Sequence, residues 1–121
     1  VSSVIEAIDA ETIYDVPLLM TKEQLDERVL EKIDLVSKQP LDIDRWKSFL
    51  GKLKNPTSEV TIGLIGKYVE LKDAYKSIAE SFIHAGAVNE CKVKVKWIQS
   101  EHLIESDNQT QLEALDGILV A

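Results

Sequence analysis

Between Val60 and Gly66 the chain reads VTIGLIG, a near-continuous apolar run carried by Val60, Ile62, Leu64 and Ile65. Such a run fits a strand covered on both faces, the position of an interior strand in a parallel sheet, where helical crossovers lie on either side. The residues after it agree. Residues 73–85 place Ile78, Ala79, Phe82 and Ile83 at helical spacing, and Gly86 offers a left-handed stop. Residues 92–97 alternate Lys with Val and Trp, the period of two of a half-exposed strand. Residues 111–115 read as a short helix, and residues 118–120 begin a third strand. Strand, helix, strand, helix, strand predicts an α/β fold, the first part of a doubly wound, mostly parallel and incomplete sheet with right-handed crossovers.

The first half is helical. Residues 1–8 are short and β-branched and are expected to form an edge strand, followed by a turn or helix start at Pro17. Thr21 and Gln24 match a helix-capping pair, after which Leu25, Val29 and Ile33 mark one helical face. Pro40 breaks the chain. Asp42 or Asp44 then caps a second helix presenting Trp46, Phe49, Leu50 and Leu53, a face expected to rest on a neighbouring domain rather than on a ligand. Asn55-Pro56 ends it, because proline disfavours the α conformation of the residue before it. A domain boundary is therefore expected there.

Composition excludes several classes of function. The net charge of −7 argues against a general nucleic-acid binder, which needs clustered Lys and Arg to displace condensed counterions. A single cysteine, Cys91, rules out an internal disulfide framework and a cysteine-based zinc site, which fits a reducing compartment, and no metal site is expected. Residues 1–11 lack the basic flank and apolar run of a signal peptide, and no apolar stretch is long enough to cross a bilayer, so a cytoplasmic location without membrane contact is expected. The chain starts on Val and stops inside an apolar run, and both ends are expected to be cuts in a longer protein.

Gly63 to Lys67, GLIGK, resembles a phosphate loop only in part. Two residues rather than four separate its glycines, and Tyr68 follows the lysine where Ser or Thr is needed. These glycines are better explained by close packing against a strand. The carboxyl end of that strand still places Gly66, Lys67 and Tyr68 where open α/β sheets gather ligands. Cys91, His84 and Asp116 contain the residue types of a nucleophile, base and orienter, but Cys91 enters a strand without the sharp turn that exposes a nucleophile. It is expected to be a half-buried apolar residue, and His84 to sit in the last turn of a helix. His102 has no Cys or His at metal-ligand spacing. Lys92, Lys94 and Lys96 are expected to be solvated charge protecting a strand. The glycosylation pattern at residues 108–110 carries no meaning in a cytosolic chain.

Two runs go further: AIDAETIYDVPLLM at residues 7–20 and SEVTIGLIGKYVELKDAYKSIAESFIHAG at residues 58–86. Both resemble the CTP synthase family, in the same order and separated by a helical linker. The resemblance implies three parts: residues 1–20 as the end of the synthetase (amidoligase) domain, 21–57 as the interdomain linker, and 58–121 as the start of a class I glutamine amidotransferase domain. It implies a parent ligase of pyrimidine biosynthesis that uses ATP and magnesium to aminate UTP to CTP with glutamine as nitrogen donor, activated by GTP and assembled as a homotetramer. DGILVA at residues 116–121 resembles the strand leading to the family's oxyanion loop. The family's Cys-His-Glu triad matches no residue here, so no catalytic residue is assigned and the chain alone is expected to be inactive, with no cofactor bound. Ile8, Asp9 and Ala10 match the segment bordering the ATP adenine, although the family commonly has Lys where Ile8 stands. Tyr68 and Lys76 match residues near the GTP-responsive surface, with Lys76 as a point-charge partner for phosphate.

The alternative is a non-enzymatic α/β binding or interaction module. A signalling receiver begins with the same element order but needs an acidic pair after its first strand, where this chain has Gly66-Lys67-Tyr68.

Overall fold

The computed structural model describes residues 4–105 and 112–121. The chain divides into two compact units, Val1–Trp46 and Lys47–Ala121.

In the first unit, residues 4–10 form neither strand nor helix, contrary to the expectation of a strand over residues 1–8, of which residues 1–3 lie outside the described residues. A β-branched run becomes a strand only where a neighbouring strand takes its backbone hydrogen bonds, and none does so here among the described residues. A 3-10 turn at Ile13–Asp15 comes next, with the Thr12 hydroxyl accepting from the Tyr14 N–H at 3.4 Å. It leads directly into α1, Val16–Lys22, with Pro17 in the first turn, where its missing N–H leaves no bond unmade. Thr21 therefore lies inside a helix and caps none. Its hydroxyl donates to the Pro17 carbonyl four residues back, at 2.8 Å. The next helix, α2 at Leu25–Lys32, is entered through Gln24 in the left-handed conformation, with φ of 58°. Of the expected apolar face, Leu25 and Val29 lie in α2 and Ile33 caps its end, and both Val29 and Ile33 are exposed. Tyr14 is buried, its ring 6.0 Å from that of Trp46, and the Trp46 indole N–H donates to the Tyr14 carbonyl at 2.8 Å.

Helix α3, Asp44–Lys54, begins where the Asp42 carboxylate accepts the Asp44 N–H at 3.1 Å. Trp46, Phe49, Leu50 and Leu53 are its less exposed positions, as their spacing predicts, and Leu50 is 4% exposed.

The second unit is built on three parallel strands in the order β2-β1-β3: β1 at Ser58–Gly66, β2 at Cys91–Gln99 and β3 at Gly117–Val120. The register runs from Ser58 opposite Cys91 to Gly66 opposite Gln99 on one side of β1, and from Ile62 opposite Gly117 to Ile65 opposite Val120 on the other. An all-parallel sheet with helices in its connections is the incomplete α/β fold that the sequence pattern predicts. Helix α4, Lys76–Val88, carries the crossover from β1 to β2 after a 3-10 turn at Lys72–Tyr75, and a short helix α5, His102–Glu105, comes after β2. Leu64 is fully buried, and Ile65, Val69, Ala87 and Ile98 are nearly so. The expected helix at residues 111–115 is present where it is described: residues 112–113 are helical and the Leu115 N–H reaches the Leu112 carbonyl at 3.1 Å, while its first residue lies outside the described residues, as does the pattern at 108–110. Among the described residues no helix is long and apolar enough to cross a membrane.

Gly86 does not stop α4. It is buried within the helix, which continues to Val88, and the left-handed residue is Glu90, with φ of 55°. The Glu90 carbonyl accepts from both the N–H and the hydroxyl of Thr57, at 2.7 and 3.0 Å, and its carboxylate pairs with Lys52 at 3.0 Å. Gly86 serves close approach instead: a Cβ there would lie 2.6 Å from the Cys91 carbonyl oxygen and 3.2 Å from a Val93 methyl. Gly86→Ala thus sets two effects against each other. Helix propensity favours Ala by about 1 kcal/mol, whereas overpacking against a backbone atom costs typically about 1–3 kcal/mol. The variant is expected to unfold at lower urea concentration than the parent chain, and a higher midpoint would show that the helix does not approach β2 this closely.

Candidate functional site

The residues singled out at the carboxyl end of β1 do come together. Gly66 closes the strand, and its carbonyl accepts the Ser100 N–H at 2.9 Å, which keeps the ends of β1 and β2 level. The chain then leaves through Lys67 and Tyr68. Tyr68 adopts φ of 59°, a conformation uncommon for any residue but glycine and unusual for a bulky one. The turn is fastened on both sides of it: the Tyr68 carbonyl accepts the Leu71 N–H at 2.9 Å, and the Val69 N–H donates to Gln99 Oε1 at 3.3 Å. Val69 is buried, whereas Tyr68 is 55% exposed.

Tyr75 closes the turn from the helix side. A Cβ on Gly66 would fall 2.5 Å from the Tyr75 hydroxyl oxygen and 2.9 Å from Cζ, so only glycine admits this ring. The hydroxyl donates to the Lys67 carbonyl. The ring also meets Trp97 edge-on, with centroids 6.0 Å apart and planes at 72°. The Lys67 ammonium lies 5.3 Å from the Tyr68 ring centroid and 4.0 Å from the Glu101 carboxylate. Lys76, exposed, opens α4 directly after Tyr75. The result is an exposed aromatic ring and nearby lysines displayed on a backbone turn held by neutral hydrogen bonds. That arrangement suits stacking and charge pairing with an anionic aromatic ligand.

The other candidate residues lie in the first unit. Ile8 is exposed and lines a shallow depression of about 50 Å³ with Glu6, Leu19, Lys22 and Glu23, room for a few waters. Asp9 is exposed and Ala10 half-buried in the same stretch, which has no regular secondary structure.

Cys91, His84 and Asp116 are not brought together as a triad. Cys91 pairs with Ser58 on one side of β1, and Asp116 joins Thr61 on the other, so they lie two strand spacings apart across the sheet and three residues apart along it, on the order of 14 Å in all. The His84 ring packs on Phe49 at 5.3 Å, and His84 sits a full turn before the end of α4. Asp116 has a structural task. Its Oδ2 accepts the Thr61 N–H at 2.7 Å and its own N–H donates to the Thr61 carbonyl at 2.9 Å, which continues the ladder one step before β3. Lys92, Lys94 and Lys96 are exposed, and Lys94 pairs with Glu59 at 2.6 Å. Gly63 packs as its strand position suggests, since a Cβ there would lie 2.5 Å from a Leu115 methyl. Among the described residues no group of three or more His, Cys, Asp and Glu side chains is placed to hold a metal ion. Sequence reasoning missed Tyr75, Gln99 and Glu101. Only an aromatic residue at a helix start, complementary to a strand-end glycine, could have signalled the first.

No family model matches the chain. Among curated proteins it is 69% identical to a CTP synthase of Cytophaga hutchinsonii over 121 residues, 100% of the chain. It is 59% identical to a CTP synthase of Flavobacterium psychrophilum over 119 residues, 98% of the chain, and 51% identical to one from Methanocaldococcus jannaschii over 124 aligned residues, also 98% of the chain. The chain spans 22% of the length of the first two and 23% of the third.

The paired bonds of Asp116 give a direct test of how β3 is seated. Asp116→Ala removes the acceptor for Thr61 and is expected to lower stability by about 1 kcal/mol in denaturant titration, the scale of one net hydrogen bond. Asp116→Asn keeps an acceptor oxygen and should recover most of the loss.

Proposed function

We propose, from the premise that this chain is homologous to the CTP synthases along its whole length, that it is the piece of such an enzyme joining the synthetase half to the glutaminase half. The observation that carries this is the similarity to proteins of that name across the whole chain, 69% identity over 121 residues in one case, in a chain that spans 22% of that relative's length. In the parent, ATP phosphorylates the 4-oxygen of UTP, and ammonia released from glutamine displaces the phosphate to give CTP, ADP and inorganic phosphate. Residues 1–20 form the end of the synthetase domain, 21–57 the linker and 58–121 the opening of the glutaminase domain. The parent works in the cytoplasm as a homotetramer.

Within this piece the roles are binding roles. Ile8, Asp9 and Ala10 border the ATP adenine, where backbone groups of a stretch outside any helix or strand can read a base edge without special side chains. Tyr68 and Lys76 belong to a surface that responds to GTP: the ring offers a face for the guanine and the ammonium a charge for phosphate. Glutamine hydrolysis uses residues elsewhere in the parent, as does the coordination of magnesium, and Cys91 is not its nucleophile. Identity to named synthases along the full chain favours this reading over a non-enzymatic binding module.

The test compares the full-length protein containing this segment with the segment alone, following CTP formation from UTP, ATP and glutamine and, separately, glutamate release. The full-length protein is expected to perform both and the segment neither. Glutamate release by the segment would contradict the assignment of the nucleophile elsewhere. Absence of CTP from the full-length protein would refute the function. Cys91→Ala in the full-length protein is expected to leave glutamate release within about twofold, where loss of an activated thiolate nucleophile would remove it by several orders of magnitude.

A further inference from the structure

The geometry points to Tyr75 as a positioning residue for the nucleotide-responsive turn at the end of β1, an inference that rests on the proposed roles of Tyr68 and Lys76. Three contacts of Tyr75 converge on that turn: the ring occupies the space left by the missing side chain of Gly66, its edge meets Trp97 of β2, and its hydroxyl donates to the Lys67 carbonyl. The Lys67 carbonyl belongs to the peptide that leads into Tyr68, so the hydrogen bond fixes the orientation of the peptide plane from which Tyr68 enters its left-handed conformation. The Lys67 ammonium lies beside the Tyr68 ring, 5.3 Å from its centroid, and 4.0 Å from Glu101. Tyr75 also directly precedes Lys76, the first residue of α4, so one side chain ties the strand end to the start of the helix. Tyr75 touches no ligand in this scheme. It keeps a strained, solvent-facing Tyr68 in place before a nucleotide arrives, and pre-organisation of this kind raises affinity by removing an ordering cost from the binding step.

Tyr75→Phe separates this role from packing, because it keeps the ring against Gly66 and Trp97 and removes only the donor. In the full-length enzyme the GTP concentration giving half-maximal activation of glutamine-driven CTP formation is expected to rise about fivefold to tenfold, the factor carried by one net hydrogen bond. CTP formation driven by ammonia without GTP should stay within about twofold of the parent. An unchanged GTP response would overturn the proposal. So would an equal loss of both activities, which would mark Tyr75 as merely structural. Tyr68→Ala and Lys76→Ala distinguish the proposal from the assignment it rests on. If either shifts the GTP response and Tyr75→Phe does not, the surface stands and the role of Tyr75 falls. If all three leave the response unchanged, the surface itself is misassigned.

Discussion

Nine consecutive residues of β1, Ser58 to Gly66, pair in parallel with β2, and the last part of the same strand pairs in parallel with β3 on its other side. A strand with neighbours on both edges has its backbone groups satisfied by the sheet, which allows Leu64, in the part paired on both sides, to be fully buried without leaving a polar group unpaired. Parallel pairing also dictates the rest. Strands running the same way cannot be joined by a tight turn, so the chain must cross back along the sheet, and α4 makes that crossing. The crossing starts at the carboxyl end of β1, where the backbone is released from the ladder. The Lys67–Tyr68 turn, the outlet of the most restrained strand in the unit, is therefore the place where this fold can display groups to solvent without disturbing its core.

Close approach of helix to sheet is the second constraint, and two glycines make it possible at opposite ends of α4. Gly86 lets the helix pass within contact distance of the Cys91 carbonyl, and Gly66 lets the Tyr75 ring lie on the end of β1. Neither uses the freedom of glycine to adopt positive φ, and no described glycine does. The left-handed positions at this level of the fold fall instead on Glu90 and Tyr68, each with its carbonyl hydrogen-bonded. The chain thus uses glycine for space and accepts conformational cost in larger residues. At Glu90 the return is a clasp on Thr57 and Lys52, and at Tyr68 it is an aromatic ring turned to solvent.

This division explains what can be read in the sequence. The three strands of the sheet are legible because their signal is local: continuous apolar residues in β1, alternation in β2 and a short apolar run in β3. Helix α3 is legible from the spacing of Trp46, Phe49, Leu50 and Leu53. The opening residues are not, because their β-branched character suits a strand only where a partner exists. Thr21 and Gln24 match a capping pattern, yet Pro17 has already started a helix through Thr21, and the earlier nucleation decides. A glycine near a helix end usually adopts positive φ, which predicts a stop at Gly86, whereas its role depends on how near β2 passes. At the candidate site, Gly66, Lys67, Tyr68 and Lys76 can be found from position in the fold and family resemblance. Tyr75 and Gln99 cannot, since their importance lies in contacts made across the fold.

Electrostatics raises the remaining question of how an acidic chain could receive a polyanionic nucleotide. The net charge of −7 disfavours approach at long range. At physiological ionic strength, however, exposed charges interact over only about 8 Å, so the local balance outweighs the total. Residues 67–76 hold Lys67, Lys72 and Lys76 against Glu70 and Asp73, one positive charge in excess, which Glu101 beside Lys67 offsets. Lys67 is partly spoken for by Glu101, and its ammonium lies 5.3 Å from the Tyr68 ring centroid. Lys76 extends from the first turn of α4, where the helix dipole adds partial positive charge. The attraction available to a phosphate is therefore short-ranged and modest, and the greater part of selectivity would come from the fixed face of Tyr68. Under the proposed reading, rigidity of the turn, more than charge, is what it would offer a nucleotide.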